Sequence, residues 1–588
     1  MTPRAAPGRR GRAALAPALL GAALFASLPA FGQVPAQLPA GVDPARLPGQ
    51  APAAPQVPGA LPPEPVAPIA PSPGAPVGAE RLRFTLTALE IEGVTAYPPG
   101  TFAPLFAHLL GTEVAVADLY AIADAITERY RADGYIISRA LVPAQRIEGG
   151  AARLAVVEGF VAEVSVTGAA EPELAARAER AAMAVRPLTL RALERSILLL
   201  NDLPGVRAQG MIEPAPSGPP GAARLAVTAE SRRAWDGYLA LDNRGSRYVG
   251  PWQASAGGSV SSVIRAYDRM AFRVVGASPL RELRYGEIGY ETPVGPDGWV
   301  IAASAFLSRS QPGFTLAPLD VEGQSVGVSV GASYPIVRSR AENLRASFAF
   351  TPYDSTNDVL GRSDVAPAYD DNIRPLRAAL SYDLADGWGG FNFATAELSQ
   401  GLDALGASPE NRTNASRPGA RSRFTRLVVE ASRTQALDAL YPGFGVFVAA
   451  RGQWSFGAPL VAFEQFGLGG ARFGRGYDPS EIAGDNGIAA SVELQWSAGF
   501  LPGWYTFGRE ATVQPYLFYD VGIVSNATAG QASQSLASAG LGIRLWLGEA
   551  VAAAVELAKP LTRDVAAEVL AGNSGNEPRL YLSTVVRF

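Results

Sequence analysis

The 588-residue chain has no cysteine, one histidine and one lysine, and each shortage closes a route. Without cysteine there are no disulfides, thiolate metal sites or cysteine nucleophiles. With His108 and Lys559 as the sole residues of their kinds, histidine triads, zinc clusters and a P-loop lysine are excluded, so neither a metal nor any other cofactor is expected. The formal net charge of -4 is near neutral for this length, so no nucleic-acid partner is expected. Long apolar runs are also scarce. Past the N-terminal region no stretch reaches the ~20 uncharged apolar residues of a membrane helix.

What is present begins with an export signal. Arg4, Arg9, Arg10 and Arg12 precede an apolar run from Ala13 to Ala26, and Ala30-Phe31-Gly32 gives a small-x-small cleavage site. Residues 1–32 therefore read as a signal peptide. Residues 33–81 are rich in Pro and Ala, as in Leu61-Pro62-Pro63-Glu64-Pro65. Proline fixes φ and removes donors, so this reads as an extended periplasmic linker with little to bury. Within it Asp43-Pro44-Ala45-Arg46-Leu47 starts a short helix that Pro48 stops, leaving room for at most a short plug.

From Arg81 two small α/β modules follow, 82–159 and 160–231. In the first, Phe84–Ile91 alternates as a strand. Phe102, Leu105, Phe106 and Leu109 mark a short amphipathic helix, and Leu119, Ile122, Ile126 and Tyr130 a second, with Gly134 at its C-cap. Ile136–Val142 and Arg153–Val157 read as strands. The second module repeats the order: a strand at Val161–Val166, helices Pro172–Val185 and Thr189–Leu200, and strands near Val206–Glu213 and Arg224–Thr228.

Residues 232–588 are short alternating segments split by Gly, Pro, Asn, Asp and Ser, among them Gly237–Asn243, Gln253–Ser261, Met270–Val275 and Arg284–Glu291. The final segment puts Leu580, Leu582, Thr584, Val586 and Phe588 on one face and Tyr581, Ser583, Val585 and Arg587 on the other. A closed barrel leaves no strand edge to protect. At roughly 20–24 residues per strand and connection, the region holds about 16 antiparallel strands, an even number that leaves both ends in the periplasm. The fold class is a membrane all-β barrel preceded by two α/β domains, in a Gram-negative outer membrane.

The residues also resemble a family, the TpsB transporters of two-partner secretion, which export haemolysin- and haemagglutinin-type exoproteins. The first module resembles a POTRA domain at Gly134-Tyr135, Val142-Pro143, Gln145, Ile147 and Val157-Glu158-Gly159. The second carries Leu193-Glu194-Arg195 and Asn201-Asp202-Leu203-Pro204-Gly205-Val206, and the first barrel strand ends in Leu241-Asp242-Asn243-Arg244-Gly245-Ser246. Gly469-Gly470-Ala471-Arg472-Phe473-Gly474-Arg475-Gly476-Tyr477 resembles the tip of the family's lumenal sixth extracellular loop. Phe518-Tyr519-Asp520-Val521-Gly522 resembles the strand bearing its aspartate. The resemblance implies a lumenal latch of Arg475, Gly476 and Tyr477 with Asp520, supported by Phe518 and Gly522, and a C-terminal assembly signal at Phe588. Arg472 competes with Arg475 for the same carboxylate. Asp242 and Asn243 read as pore-side residues, and His108 as a surface residue. Many members of the family carry an amphipathic plug helix before the linker; here Pro35, Pro39, Pro44 and Pro48 break the corresponding stretch, which leaves the plug an open question.

The implied function is secretion of one large, unfolded TpsA-type exoprotein, received by the POTRA domains and passed through the barrel. Outer-membrane lipid and the barrel assembly machinery are the other expected partners. The alternative from the same superfamily is an assembly factor that inserts other barrels. A passive porin needs no periplasmic modules, and a serine hydrolase needs a histidine beside its serine, which the barrel lacks.

Overall fold

The computed structural model describes residues 42, 46, 74–168, 172–359, 369–497, 511–528 and 530–588. The expected signal peptide and most of the Pro/Ala-rich stretch lie outside the described residues.

The first module pairs Ala88–Glu92 in parallel with Ala151–Val157, which pairs antiparallel with Arg139–Leu141. Helix α1 (Val116–Ala132) closes the core with Leu119, Ile122, Ile126 and Tyr130. Gly134 lies just past it at φ +89°, a left-handed conformation that glycine adopts without strain. Three expectations change here. The segment Phe84–Ile91 is two strands, Arg83–Thr85 and Ala88–Glu92, because the chain switches partners. The Leu86 amide donates to Thr112 O at 3.0 Å, and that of Thr87 to Gly150 O at 2.9 Å. The Phe102–Leu109 helix is instead two 3-10 turns, Ala103–Leu105 and Ala107–Leu109, broken at Phe106, whose φ of -133° leaves the helical region. The strand expected from Ile136 shrinks to Arg139–Leu141, because Ile136 and Ile137 pack into the second module instead. His108 is exposed.

In the second module Phe160–Gly168 pairs in parallel with Ala222–Ser231, which pairs antiparallel with Val206–Pro214. Helices α2 (Pro172–Met183) and α3 (Leu190–Asn201) cover this sheet. Thr189 Oγ1 accepts from the Ala192 amide at 3.2 Å and caps α3.

The rest closes into a barrel. Its strands are β1 (Trp235–Asp242), β2 (Trp252–Ser261), β3 (Arg269–Ser278), β4 (Arg284–Val294), β5 (Trp299–Ser310) and β6 (Glu322–Arg338). Then come β7 (Glu342–Phe350 continuing as Tyr353–Asp358), β8 (Tyr369–Ile373 continuing as Pro375–Ala385), β9 (Gly390–Gly401), β10 (Thr425–Ala436) and β11 (Phe444–Trp454). The last are β12 (Asn486–Trp496), β13 (Ala511–Ser525), β14 (Gln534–Leu547), β15 (Val551–Pro560) and β16 (Arg579–Arg587). Strands β7 and β8 are interrupted where Pro352 and Pro375 lack an amide donor. Both pieces of β7 pair with the long β6, so the count is sixteen.

Side-chain alternation sorts the two faces. Leu541, Ile543, Val555, Leu557, Leu580, Leu582 and Phe588 are exposed on the outer wall, while Tyr516, Phe518, Tyr581 and Val585 are buried inside. An apolar exterior and a polar, partly filled interior are what hydrocarbon outside and water within require. Among the described residues no helix is long and apolar enough to cross a membrane; the strands make the crossing.

β1 and β16 close the cylinder, paired from Ser583↔Asp242 to Arg587↔Tyr238. The Asn243 side chain extends this seam, donating to Leu580 O at 2.9 Å and accepting from the Leu582 amide at 2.7 Å. Asn243 is therefore a seam residue. Asp242 is buried and accepts from the Arg244 amide at 2.9 Å. Phe588 continues the seam, exchanging backbone hydrogen bonds with Gly237, and its ring lies 6.2 Å from that of Trp235.

The second module is fixed to the barrel by the motifs noted in its sequence. Asp202 accepts a bidentate pair from Arg338 at 2.7 and 2.9 Å, and Arg195 donates to Asp297 O at 3.2 Å and lies over the Tyr334 ring. From the β2–β3 turn, Tyr267 inserts into the module's apolar core.

Candidate functional site: the lumenal loop

Loop 6, residues 455–485 between β11 and β12, turns back into the barrel. A short hairpin of Phe466–Leu468 and Ile482–Gly484 forms its stem. On the wall, Asp520 of β13 sits in register between Ser491 of β12 and Ser538 of β14. The two small neighbours leave room above the carboxylate for a large side chain.

Arg475 fills that room. Its Nε and Nη2 donate to the two oxygens of Asp520 at 3.0 and 2.8 Å, the fork geometry that guanidinium forms with carboxylate. The backbone amides of Arg475 and Gly474 donate to Asp520 Oδ2 at 3.0 and 3.2 Å, and Ser538 Oγ donates at 3.3 Å. Arg475 Nη2 also donates to Ser491 Oγ at 3.0 Å, Nη1 pairs with Glu493, and the guanidinium carbon lies 3.6 Å from the centroid of the Phe518 ring. Arg475 is 3 % exposed and Asp520 not at all.

Burying charges this deeply is tolerable only when each is paired and hydrogen-bonded. Three arginines meet three carboxylates here. Arg544 donates to Glu493 at 3.0 Å, Arg244 to Glu556 at 3.1 Å, and Tyr516 OH to Glu556 at 2.6 Å.

The glycines and the tyrosine set the approach. A β-carbon on Gly476 would lie 2.7 Å from Pro560 N and 2.8 Å from Lys559 C, and one on Gly522 would lie 2.5 Å from Leu468 of the stem. Tyr477 OH donates to Ala537 O at 3.0 Å and accepts from the amides of Thr562 and Arg563 at 3.3 Å. Arg472, the rival for Asp520, pairs with Glu430 on β10 instead.

Several participants were missed in the sequence. Glu493 and Ser491 carried a usable signal, since Ser491-Val492-Glu493-Leu494-Gln495 alternates polar with apolar. Glu464 carried none. It lies on the loop's first arm, paired at 2.6 Å with Arg377 of β8 and also with Arg426 of β10. Val42 and Arg46 are buried as well, from a stretch expected to bury little. Val42 packs with Tyr248, Val275 and Tyr285 of the barrel's first strands and loop, and Arg46 Nε donates to Ala462 O of loop 6 at 2.8 Å.

A sixteen-stranded outer-membrane barrel with a basic loop tip anchored in its lumen and α/β modules beneath defines a class of envelope transporters. The family model "Haemolysin secretion/activation protein ShlB/FhaC/HecB" matches residues 221–545, and "POTRA domain, ShlB-type" matches 84–159. The chain belongs to this haemolysin secretion/activation family, the TpsB transporters of two-partner secretion, and resides in the outer membrane with its POTRA region in the periplasm. It is 24 % identical over 506 residues to the heme/hemopexin transporter protein HuxB of Haemophilus influenzae (strain 86-028NP), covering 83 % of this chain and 85 % of that one. It is 23 % identical over 458 residues to the outer membrane transporter CdiB of Escherichia coli O6:K15:H31, covering 74 % and 72 %. The solved structure of CdiB from Escherichia coli matches with a TM-score of 0.71 at 21 % identity, over 89 % of this chain and 94 % of that chain. Family members work with TpsA-type exoprotein partners.

Proposed function

We propose that this chain, acting without catalysis, exports one large TpsA-type exoprotein that enters unfolded from the periplasm, with loop 6 as the movable barrier and Arg475–Asp520 as its latch. The observation that carries this reading is the fully paired, buried ion cluster that holds a loop, rather than a strand, inside the lumen. A loop hung on side-chain contacts can leave its seat without opening the wall's hydrogen-bond ladder. The periplasmic modules supply the receiving surface. Val206–Pro214 and Phe160–Gly168 are the outer strands of their sheet, and an outer strand accepts an extended segment by main-chain hydrogen bonds with little side-chain discrimination. The exported chain crosses in extended form, since a barrel of this size does not admit a folded domain. Folding of the exoprotein outside the cell makes the step irreversible.

Deleting residues 82–231 tests the receiving role. The expected product is an inserted barrel that secretes nothing. Secretion at the wild-type level by that variant would remove the modules from the mechanism. A general loss of outer-membrane barrels on deletion of the gene would favour the assembly-factor reading instead.

A further inference from the structure

Loop 5, residues 402–424 between β9 and β10, reaches across to the foot of loop 6. Leu460 of loop 6 forms a one-residue parallel bridge with Arg421 of loop 5, and the Arg421 amide donates to Pro459 O at 3.0 Å. Ala420 and Phe424 of loop 5 bury themselves against Leu460, Val461 and Ile373.

Beside this apolar contact lies a second buried ion pair. Arg417 of loop 5 donates through Nη1 to Asp485 Oδ1 at 2.6 Å and to Leu460 O at 2.7 Å, and through Nη2 to Asn526 of loop 7 at 2.9 Å. Asp485, where loop 6 rejoins β12, is fully buried. It also accepts from the Leu460 amide at 2.9 Å and the Ala527 amide of loop 7 at 2.8 Å. One carboxylate thus ties loops 5, 6 and 7 together, and it shares no residue with the Arg475 cluster.

We propose that Arg417–Asp485 is a second lock, at the extracellular exit, and that opening the pore requires its release in addition to that of the loop tip. The inference rests on the transport reading for its purpose and on geometry for its position. Arg475 holds loop 6 to the wall, but Arg417 holds it to other loops. Loop 6 therefore stays fastened at its foot when its tip lets go. A buried pair costs most when one member is removed and the other stays charged, so the lock favours closure as long as both are in place.

The test uses the purified full chain in planar lipid bilayers. Arg417 lies outside every barrel strand, so Arg417→Gln leaves the wall intact, and Asp485 keeps its two amide donors. Open-pore occupancy is expected to rise about tenfold or more, the change that ~1.4 kcal/mol of lost preference produces. Wild-type occupancy in Arg417→Gln overturns the lock.

A second arm uses the absence of native cysteine. Arg421→Cys with Leu460→Cys places a unique thiol pair on bridged backbones, within the range a disulfide spans. Oxidation is expected to stop secretion and reduction to restore it. Equal secretion by the oxidised and reduced forms overturns the proposal. Raised conductance in a protein that exports nothing keeps the lock and sinks the transport reading, so the two failures are distinct.

Discussion

Inward-facing Ser491, Glu493, Tyr516, Phe518, Asp520, Ser538 and Glu556, on β12 to β15, are all buried, because loop 6 sits on them. On the other side of the lumen, inward-facing Ala302 of β5 and Ser347 of β7 are exposed. They border a cavity of about 300 Å³ that Ala271, Gly289, Ser304 and Ser329 also line. One wall is a seat: charged, aromatic and shaped to a single ligand, its own loop. The other has a smooth patch of small side chains, bordered by the ion pairs Arg269–Glu291 and Arg273–Glu287. A carrier of long unfolded chains has use for both, since a plug must be held in one place and a passing chain must not be.

The comparison breaks most sharply at Arg475. Arg475→Glu sets three carboxylates and a new acid against Arg544 and Arg244, at a cost of several kcal/mol. Export of the exoprotein is expected to fall to background, with the barrel still inserted, as immunoblots of the cell surface, the supernatant and the outer membrane would read. Normal secretion would remove the latch.

On the smooth wall, Ser329→Trp is expected to reduce secretion severalfold by narrowing the track while leaving the Arg475 cluster untouched. Unchanged export would mean that the chain passes elsewhere.

Gly476→Ala sharpens the seat. Its β-carbon would meet the Lys559–Pro560 backbone, and overpacking of this kind costs about 1–3 kcal/mol. Raised resting conductance is expected, with partial loss of secretion.

The smallest effect lies in the first module, at Glu158. Burial raises its carboxyl pKa, but donation from Thr95, Ala96 and Tyr130 outweighs that and holds it below the usual range. A depressed carboxyl contributes stability above its unfolded value of about 4.3 and loses it as pH falls through the folded value. Protease sensitivity of the full chain near the Thr95 loop is expected to rise below about pH 4.3. Glu158→Gln is expected to be sensitive at neutral pH and to lack that dependence.

Much of this was legible before the fold. The 3-4 spacing of α1 and α3, the alternation in β1 to β16 and the strand count all come from local rules. Where local rules failed, a partner intervened. Leu86 and Thr87 split a strand by bonding to different neighbours, and Ile136 left its own strand for the next module's core. The motifs around Arg195 and Asp202 were visible as strings, but their role in fastening the module to the barrel was not.

The sequence by itself determined that strands alternate, that they close, and that a glycine-rich arginine tip and an inward aspartate exist. The alternation follows from side-chain period within a few residues and closure from the lack of a strand edge to protect, while the loop tip and the inward aspartate come from the family resemblance. Only the tertiary structure decided that Arg475, rather than Arg472, takes Asp520. It also decided that Asn243 closes the seam, and that Glu464 and Asp485 hold the loop's foot. Those pairings depend on which residues stand opposite one another across strands and loops, and register between distant segments is set by the closed cylinder as a whole.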